Sequence, residues 1–357
     1  MTTPTTSSAS AVEKILHKKN LGEWVAQLGA YDVQTPVFGD DAWSYQALGD
    51  GQTPRLDHPN TVEPPKGFHF PQREVFYTYR QVSGEAPELD STVPDPATTV
   101  VFGVRPCDGR GVPCNDRVFS GEMEDPYYRA RRSGTILIGL ACNKPPSANC
   151  FCLAVGGSPH SDDGLDILMT DLENRYAVKA LTDQGAALVT LAEPLFGEPG
   201  DRDRKDLEET HALSRQHPQR TLPDMEAVPG RLEAEFDSPL WSEMARACIG
   251  CGICTFLCPT CHCFDITDEV TGSTPLEGRR VRTWDTCQFP DFTMHSSGHN
   301  PRPDCGSRLR QRVCHKFLYF FENHGTHQCV GCGRCITECP VGIDIVAIVN
   351  RVAGHAK

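Results

Sequence analysis

The chain has 357 residues, 39% of them hydrophobic, and a formal net charge of −13 at pH 7. That length suffices for two packed domains, and no stretch approaches the ~18–20 apolar residues of a membrane-spanning helix. The acidic balance opposes binding to nucleic acid or to an anionic lipid surface, and the polar start MTTPTTSSAS lacks the basic and apolar regions of a secretion signal.

Residues 1–10 read as disordered. From Ala11 to Leu28, the apolar residues Val12, Ile15, Leu16, Leu21, Trp24, Val25 and Leu28 recur near the 3.6 period and predict a helix. Proline and glycine break the next stretch, which holds a strand candidate at Glu74 to Arg80. Thr98 to Val104 (TTVVFGV) is a continuous β-branched run that predicts a buried strand. Asp108 to Phe119, interrupted by Pro113, and Asp125 to Arg132 read as helices. Thr135 to Ala141 (TILIGLA) predicts a second buried strand. Strand, helices, strand is the order of a β-α-β unit with parallel strands. Asp183 to Leu191 is a further helix candidate, and the charged stretch from Glu198 to Pro229 reads as a linker or an exposed helix. Leu240 to Ala247, Ser307 to Phe321 and Ile343 to Val352 are helical patches. The fold class expected is α+β. Residues 1–235 form an N-terminal α/β domain with a short parallel β-α-β unit, and residues 236–357 form an α-helical ferredoxin domain.

The C-terminal part carries the strongest chemical signal. Cys248, Cys251, Cys254 and Cys258 stand as C-x2-C-x2-C-x3-C followed by Pro259, and Cys329, Cys332, Cys335 and Cys339 repeat the spacing before Pro340. This is the ligand pattern of paired [4Fe–4S] clusters, in which the fourth cysteine of each run ligates the other cluster. The expected sets are Cys248, Cys251, Cys254 with Cys339, and Cys329, Cys332, Cys335 with Cys258. Gly250, Gly252, Gly331 and Gly333 would let backbone N–H groups approach the sulfurs. Zinc fits less well, because it favours two Cys-x2-Cys pairs and four ligands in all. A metal-ligand pattern rather than disulfides also places the chain in the reducing cytoplasm.

Four further cysteines belong to the N-terminal domain's predicted strand ends. Cys107 follows the first buried strand, Cys142 follows the second, and Cys150 and Cys152 lie just beyond in KPPSANCFC. In a parallel unit both strand ends share one edge, the usual binding edge of an open α/β sheet. Convergence of Cys107, Cys142, Cys150 and Cys152 would make a third [4Fe–4S] site, with Cys114 a substitute ligand. The alternative is a set of buried free thiols. Cys261, Cys263, Cys287, Cys305 and Cys314 read as free thiols packed near the clusters, or, with Cys287, as a small metal site. In the basic run SRLRQRVCHK, Arg308, Arg310, Arg312 and Lys316 offset cluster charge, raise its potential or dock a partner, or else form a solvated helix face. His262, His295 and His299 read as ordinary polar residues. No G-x-G-x-x-G follows a strand, and there is no P-loop, HExxH or G-x-S-x-G. The chain therefore shows electron carriers but no place for a flavin, nucleotide or substrate, and no catalytic residue.

The segments FGVRPCDGRGV, DPYYRARRSG, CNKPPSANCFC, CPTCHCFDITDE, RTWDTCQFPDF, GHNPRP and CVGCGRCITECPVGIDI together resemble the β subunits of cytoplasmic NAD(P)-linked [NiFe] hydrogenases, the sulfhydrogenases. They are equally similar to the A subunit of anaerobic sulfite reductase. The resemblance runs from about Val100 to Ile348. It implies a non-catalytic electron-transfer subunit in a hetero-oligomer. Its partners would be a flavin and NAD(P)-binding subunit on one side, and hydrogenase small and large subunits, or a sirohaem subunit, on the other. The eight C-terminal cysteines carry over as cluster ligands, and Cys107, Cys142, Cys150 and Cys152 match the family's N-terminal pattern. The leading expectation is a relay to a [NiFe] hydrogenase. The alternatives are a sulfite reductase feeder and an iron–sulfur sensor, although no effector or DNA-binding element accompanies the clusters.

Overall fold

The computed structural model describes residues 12–49, 51–91, 93 and 98–355. The disorder expected for residues 1–10 lies outside these. Among the described residues twelve strands, β1 to β12, follow in chain order: Val12–His17, Asp32–Gly39, Ala42–Ala47, Arg73–Gln81, Glu88–Asp90, Thr99–Val104, Thr135–Leu140, Ile167–Asp171, Arg175–Ala180, Phe196–Gly197, Phe264–Ser273 and Leu276–Trp284. The fold is α+β, with a parallel β-α-β unit in the N-terminal half and a helical cluster-motif region in the C-terminal half.

Eight strands form the main sheet in the order β10-β1-β9-β8-β7-β6-β2-β3. At its centre β6 runs parallel to β7, and β7 parallel to β8. All six residues of β7 are buried, which is why its sequence is a continuous apolar run: both faces of a parallel strand are covered. The crossover between β6 and β7 consists of helices Pro106–Phe119 and Pro126–Ser133. Asp125 caps the second, accepting from the N–H groups of Tyr127 and Tyr128. These connections place Cys107 and Cys142 just past the C-terminal ends of β6 and β7.

The helix expected from Ala11 to Leu28 is not formed as such. Val12–His17 is β1, paired antiparallel with β9 over six residues, and only Leu21–Ala26 is α-helical. Leu16, Leu21, Trp24, Val25 and Leu28 are in the main core, and Ile15 is buried on the opposite face of β1. Pairing with β9 and β10 and burial in the sheet outweigh helix propensity here, which tertiary context readily overrides.

The second sheet was not anticipated. β11 and β12 form a hairpin of ten and nine residues, and β12 continues the ladder onto β4 and β5. The C-terminal hairpin thus shares a sheet with strands from residues 73–90. Cross-strand ion pairs Asp268–Arg280 and Glu269–Arg279 stand on its two faces, each worth about 0–1 kcal/mol. Beneath it Arg282 is buried between Glu74 and Asp125, with its guanidinium over the rings of Phe70, Phe76, Phe119 and Phe264.

Helix Asp183–Thr190 joins the main core through Leu188 and Val189, and four other helices form a second core. Val228–Ala234, Leu240–Met244, Cys305–Cys314 and Ile345–His355 pack through Val228, Leu232, Trp241, Leu309, Val313, Val346 and Val349. Leu240–Met244 is shorter than expected, and the charged stretch after Glu198 carries helix Asp201–Gln216. Among the described residues no helix is long and apolar enough to cross a membrane.

Candidate iron–sulfur sites

Each cysteine motif is a loop ending in one helical turn. In both, the residue before that turn is a left-handed glycine, Gly252 at φ +77° and Gly333 at φ +78°. Backbone N–H groups of Gly250 and Gly331 bond to the side chains of Cys248 and Cys329. Ile343 N–H donates to Cys339 Sγ at 3.1 Å.

Cys248, Cys251 and Cys254 line one cavity together with Cys339 and Cys335 from the other motif. Ile253, Leu309, Val313, Ile345 and Ile348 make its walls apolar, and Arg312 is the one charged side chain among them. The cavity reaches the surface at Ile249, 64% exposed, and at Cys251, which is also exposed. Cys258, Cys329, Cys332 and Cys335 lie within electrostatic reach of one another.

Cys107, Cys142, Cys150 and Cys152 line a further cavity, and its wall also includes Gly331 and Cys332 of the second motif. The loop bearing Cys150 and Cys152 is seated directly on that motif. Phe151 N–H donates to Gly331 O at 2.9 Å, and Asn60 Nδ2 donates to Cys332 O at 3.1 Å. A Cβ at Gly331 would stand 2.6 Å from Cys152 Cα, and one at Gly333 would stand 2.5 Å from Asn149 O. Both glycines are therefore needed for close approach as well as for backbone conformation. Cys114 takes no part in this cavity: its thiol is buried and donates to Arg110 O at 3.7 Å.

Burial dominates the acid–base chemistry of these walls. It pushes the thiols of Cys254 and Cys329 up to about 12 and Cys150 to about 11. It raises Cys107, Cys142 and Cys152 as well. Thiolates in so dry a setting need a compensating positive charge, which ligated iron would supply. Fixed cations supply part of it. Lys316 is buried and bonded to Thr260 Oγ1 at 2.8 Å and Gln328 Oε1 at 3.0 Å. Burial opposes its charge, but the neighbouring Cys258 and Cys261 outweigh that and raise it. Arg312 donates to Cys261 Sγ at 3.4 Å and also bonds the side chain of Cys335.

The basic run therefore divides. Arg312 and Lys316 face the cysteines. Arg308 is buried on Pro303 O and Cys305 Sγ, and Arg310 stacks on Phe236 and pairs with Asp237. The arginine that sequence reasoning missed is Arg334, which joins Asp108 across the two halves. Its position two residues after Cys332 was the available signal. Half-buried His262 bonds Thr260 O, and desolvation lowers it to about 4. His295 and His299 pack edge-on. Among the described residues no group of three or more His, Cys, Asp or Glu is arranged around a single ion, so the small metal site with Cys287 does not form there. A [4Fe–4S] cluster differs, since it takes one thiolate per iron and its ligands stand farther apart.

Residues 247–343 match the family described as a 4Fe–4S dicluster domain. Over 320 residues, 90% of this chain, the sequence is 30% identical to the sulfhydrogenase 2 subunit beta of Pyrococcus furiosus, 92% of which is covered. With two cysteine motifs meeting in the geometry above and that identity sustained along nearly the whole chain, this protein belongs to the sulfhydrogenase β-subunit family.

Proposed function

We propose that this chain is a three-site electron relay within a hetero-oligomeric oxidoreductase. One [4Fe–4S] site uses Cys248, Cys251, Cys254 and Cys339. A second uses Cys329, Cys332, Cys335 and Cys258. A third uses Cys107, Cys142, Cys150 and Cys152. Residues 1–235 carry the third site and residues 236–357 the first two.

One observation carries the reading. Two cysteines of the second motif reach the two flanking cavities: Cys332 lies in the wall of the N-terminal one and Cys335 in the wall of the first-motif one. The three cysteine groups therefore stand in a row, with the second motif in the middle. Bound [4Fe–4S] groups supply reversible one-electron chemistry. The chain's own part is to hold them in sequence, to exclude water with Ile, Val and Leu side chains, and to offset their negative charge with Arg312 and Lys316. The first-motif end opens to the surface at Ile249 and Cys251, which suits hand-over to another subunit.

The relay runs between a flavin subunit that exchanges hydride with NAD(P)H and a [NiFe] hydrogenase module. The sulfhydrogenase relative supports this module over a sirohaem subunit. The deciding experiment is to purify the native complex without oxygen and assay iron, nickel and sirohaem. Nickel with flavin, and about twelve irons on this chain at four per cluster, is the expected result. About eight irons would remove the third site, and sirohaem without nickel would make the partner a sulfite reductase.

A further inference from the structure

The hairpin β11–β12 brings two cysteines outside the motifs together at its open end. Cys263 immediately precedes β11, and Cys287 lies three residues after the end of β12. The ladder closes with Phe264 opposite Trp284, and Asp285 N–H then donates to Cys263 O at 3.0 Å. Beyond that point the chain turns inward. Thr286 Oγ1 accepts from Thr255 Oγ1 at 2.6 Å, and Gln288 Nε2 donates to Arg308 O at 3.0 Å and to Cys287 Sγ at 3.4 Å. Cys287 is consequently buried, while Cys263 is half-buried.

The two side chains are hydrogen-bonded to each other, and the backbone N–H of Cys287 also bonds the Cys263 sulfur. Their surroundings are as specific as their contact. Cys287 lies within reach of Cys254, a first-motif cysteine. Cys263 lies within reach of Cys261, whose side chain is hydrogen-bonded to Cys258 and receives Arg312 Nη1 at 3.4 Å. The thiol pair thus neighbours the first site directly at Cys254 and the second through Cys261, which is bonded to Cys258.

We propose that Cys263 and Cys287 are a redox-active dithiol that exchanges electrons with the relay. The proposal rests on the cluster reading above. Two thiols lose two protons and two electrons, and one Sγ–Sγ bond forms. The electrons leave singly, one to each flanking [4Fe–4S] site in its oxidised state, and the protons pass to solvent on the side of half-buried Cys263. The reverse step takes one electron from each site, takes up two protons and breaks the S–S bond. A two-electron store placed between one-electron carriers would let the chain hold a hydride's worth of electrons until a partner is ready. The register of the hairpin sets the two residues beside each other at its open end, so bond formation at about 2.05 Å asks only for local side-chain movement.

The test uses the native complex, purified without oxygen and poised at a series of potentials before alkylation and tryptic digestion. Cleavage at Arg279, Arg280 or Arg282 separates the two cysteines, so a bridge is read by mass as joined peptides. Expected is a Cys263–Cys287 bridge at oxidising potentials and two alkylated thiols at reducing ones. Cys263→Ser and Cys287→Ser should each accept two fewer electrons per chain in a reductive titration, with iron content and cluster EPR signals unchanged. Two freely alkylated thiols at every potential, or thiols shielded by a bound metal at reducing potential, would overturn the proposal. If a variant loses iron, the peptides of the unmodified complex decide alone. A missing bridge in a complex with full iron sinks the dithiol only, whereas a complex without iron sinks the cluster reading itself.

Discussion

Arg334 and Asp108 form a buried clamp between the two halves of the chain. Arg334 Nη2 donates to Asp108 Oδ2 at 2.8 Å, and the side chains are 3% and 0% exposed. Arg334 Nε also donates to Thr61 O at 2.7 Å. Arg334 stands two residues after Cys332, and Asp108 directly follows Cys107. The clamp therefore ties the N-terminal cysteine cavity to the second motif, with no net charge added between them.

Breaking that clamp from one side should be costly. Asp108→Ala leaves a guanidinium buried without its counter-charge, a loss of about 3–5 kcal/mol for such pairs. Denaturant unfolding under anaerobic conditions measures it. A loss below about 1 kcal/mol would mean that water reaches Arg334 and that the junction is not dry.

Gly331→Ala tests the contact between the halves differently, by adding one methyl group. Gly331 sits at φ +71°, where side chains are strained, and the methyl would press on the backbone of Phe151 and Cys152. Overpacking of this kind costs about 1–3 kcal/mol. Expected is selective loss of about four irons per chain, because the displaced loop carries Cys150 and Cys152. Iron assay with EPR reads this directly. Uniform loss of all iron would place the damage in the second motif itself.

Much of this was legible in the sequence, for reasons that can be named. Val100, Val101, Phe102, Ile136, Leu137 and Ile138 form continuous apolar runs because β6 and β7 are covered on both faces. The cysteine motifs were legible because a cubane cluster imposes its spacing. Residues 12–17 misled because Ile15 and Leu16 suit a helical stripe as well as a strand, and their pairing with β9 and β10 decides. The hairpin was hidden because β11 is almost wholly exposed. It is held by its backbone ladder and by β12's pairing with β4, with Asp268–Arg280 and Glu269–Arg279 across the strands, and opposite charges across a strand pair carry no apolar period. Arg334 could not be assigned to Asp108 because 226 residues separate them.

The cations beside the cysteines should set cluster potentials. Arg312 bonds Cys335 and Cys261 and lines the first-motif cavity. A fixed positive charge favours the reduced, more negative state. Replacing it by Gln removes about 1–2 kcal/mol of that preference at an effective dielectric near 20. The midpoint potential should fall by about 60 mV for one electron, read by EPR-monitored redox titration. The same change at Arg310, which pairs with Asp237 at the surface, should leave it unmoved. Equal shifts at both positions would point to general charge rather than to the local contact.

His69 makes stability pH-dependent in a defined direction. Its ring is buried edge-on to Tyr128, at 5.5 Å between centroids, and neither ring nitrogen has a partner. Burial first, then Arg132 and Lys66, lowers it to about 3, against about 6.5 in an unfolded chain. Between those values the unfolded chain binds a proton that the folded one refuses. Stability is therefore lost as pH falls from about 6.5 toward 3, by up to about 1.4 kcal/mol per pH unit for this one group. His69→Phe fills the same space without a titrating group. Its advantage over the unmodified chain should be small at pH 8 and grow steadily between pH 6.5 and 5, measured by denaturant unfolding with cluster absorbance followed in parallel. Parallel stability curves for the two proteins across that window would show that His69 is protonated in the folded state.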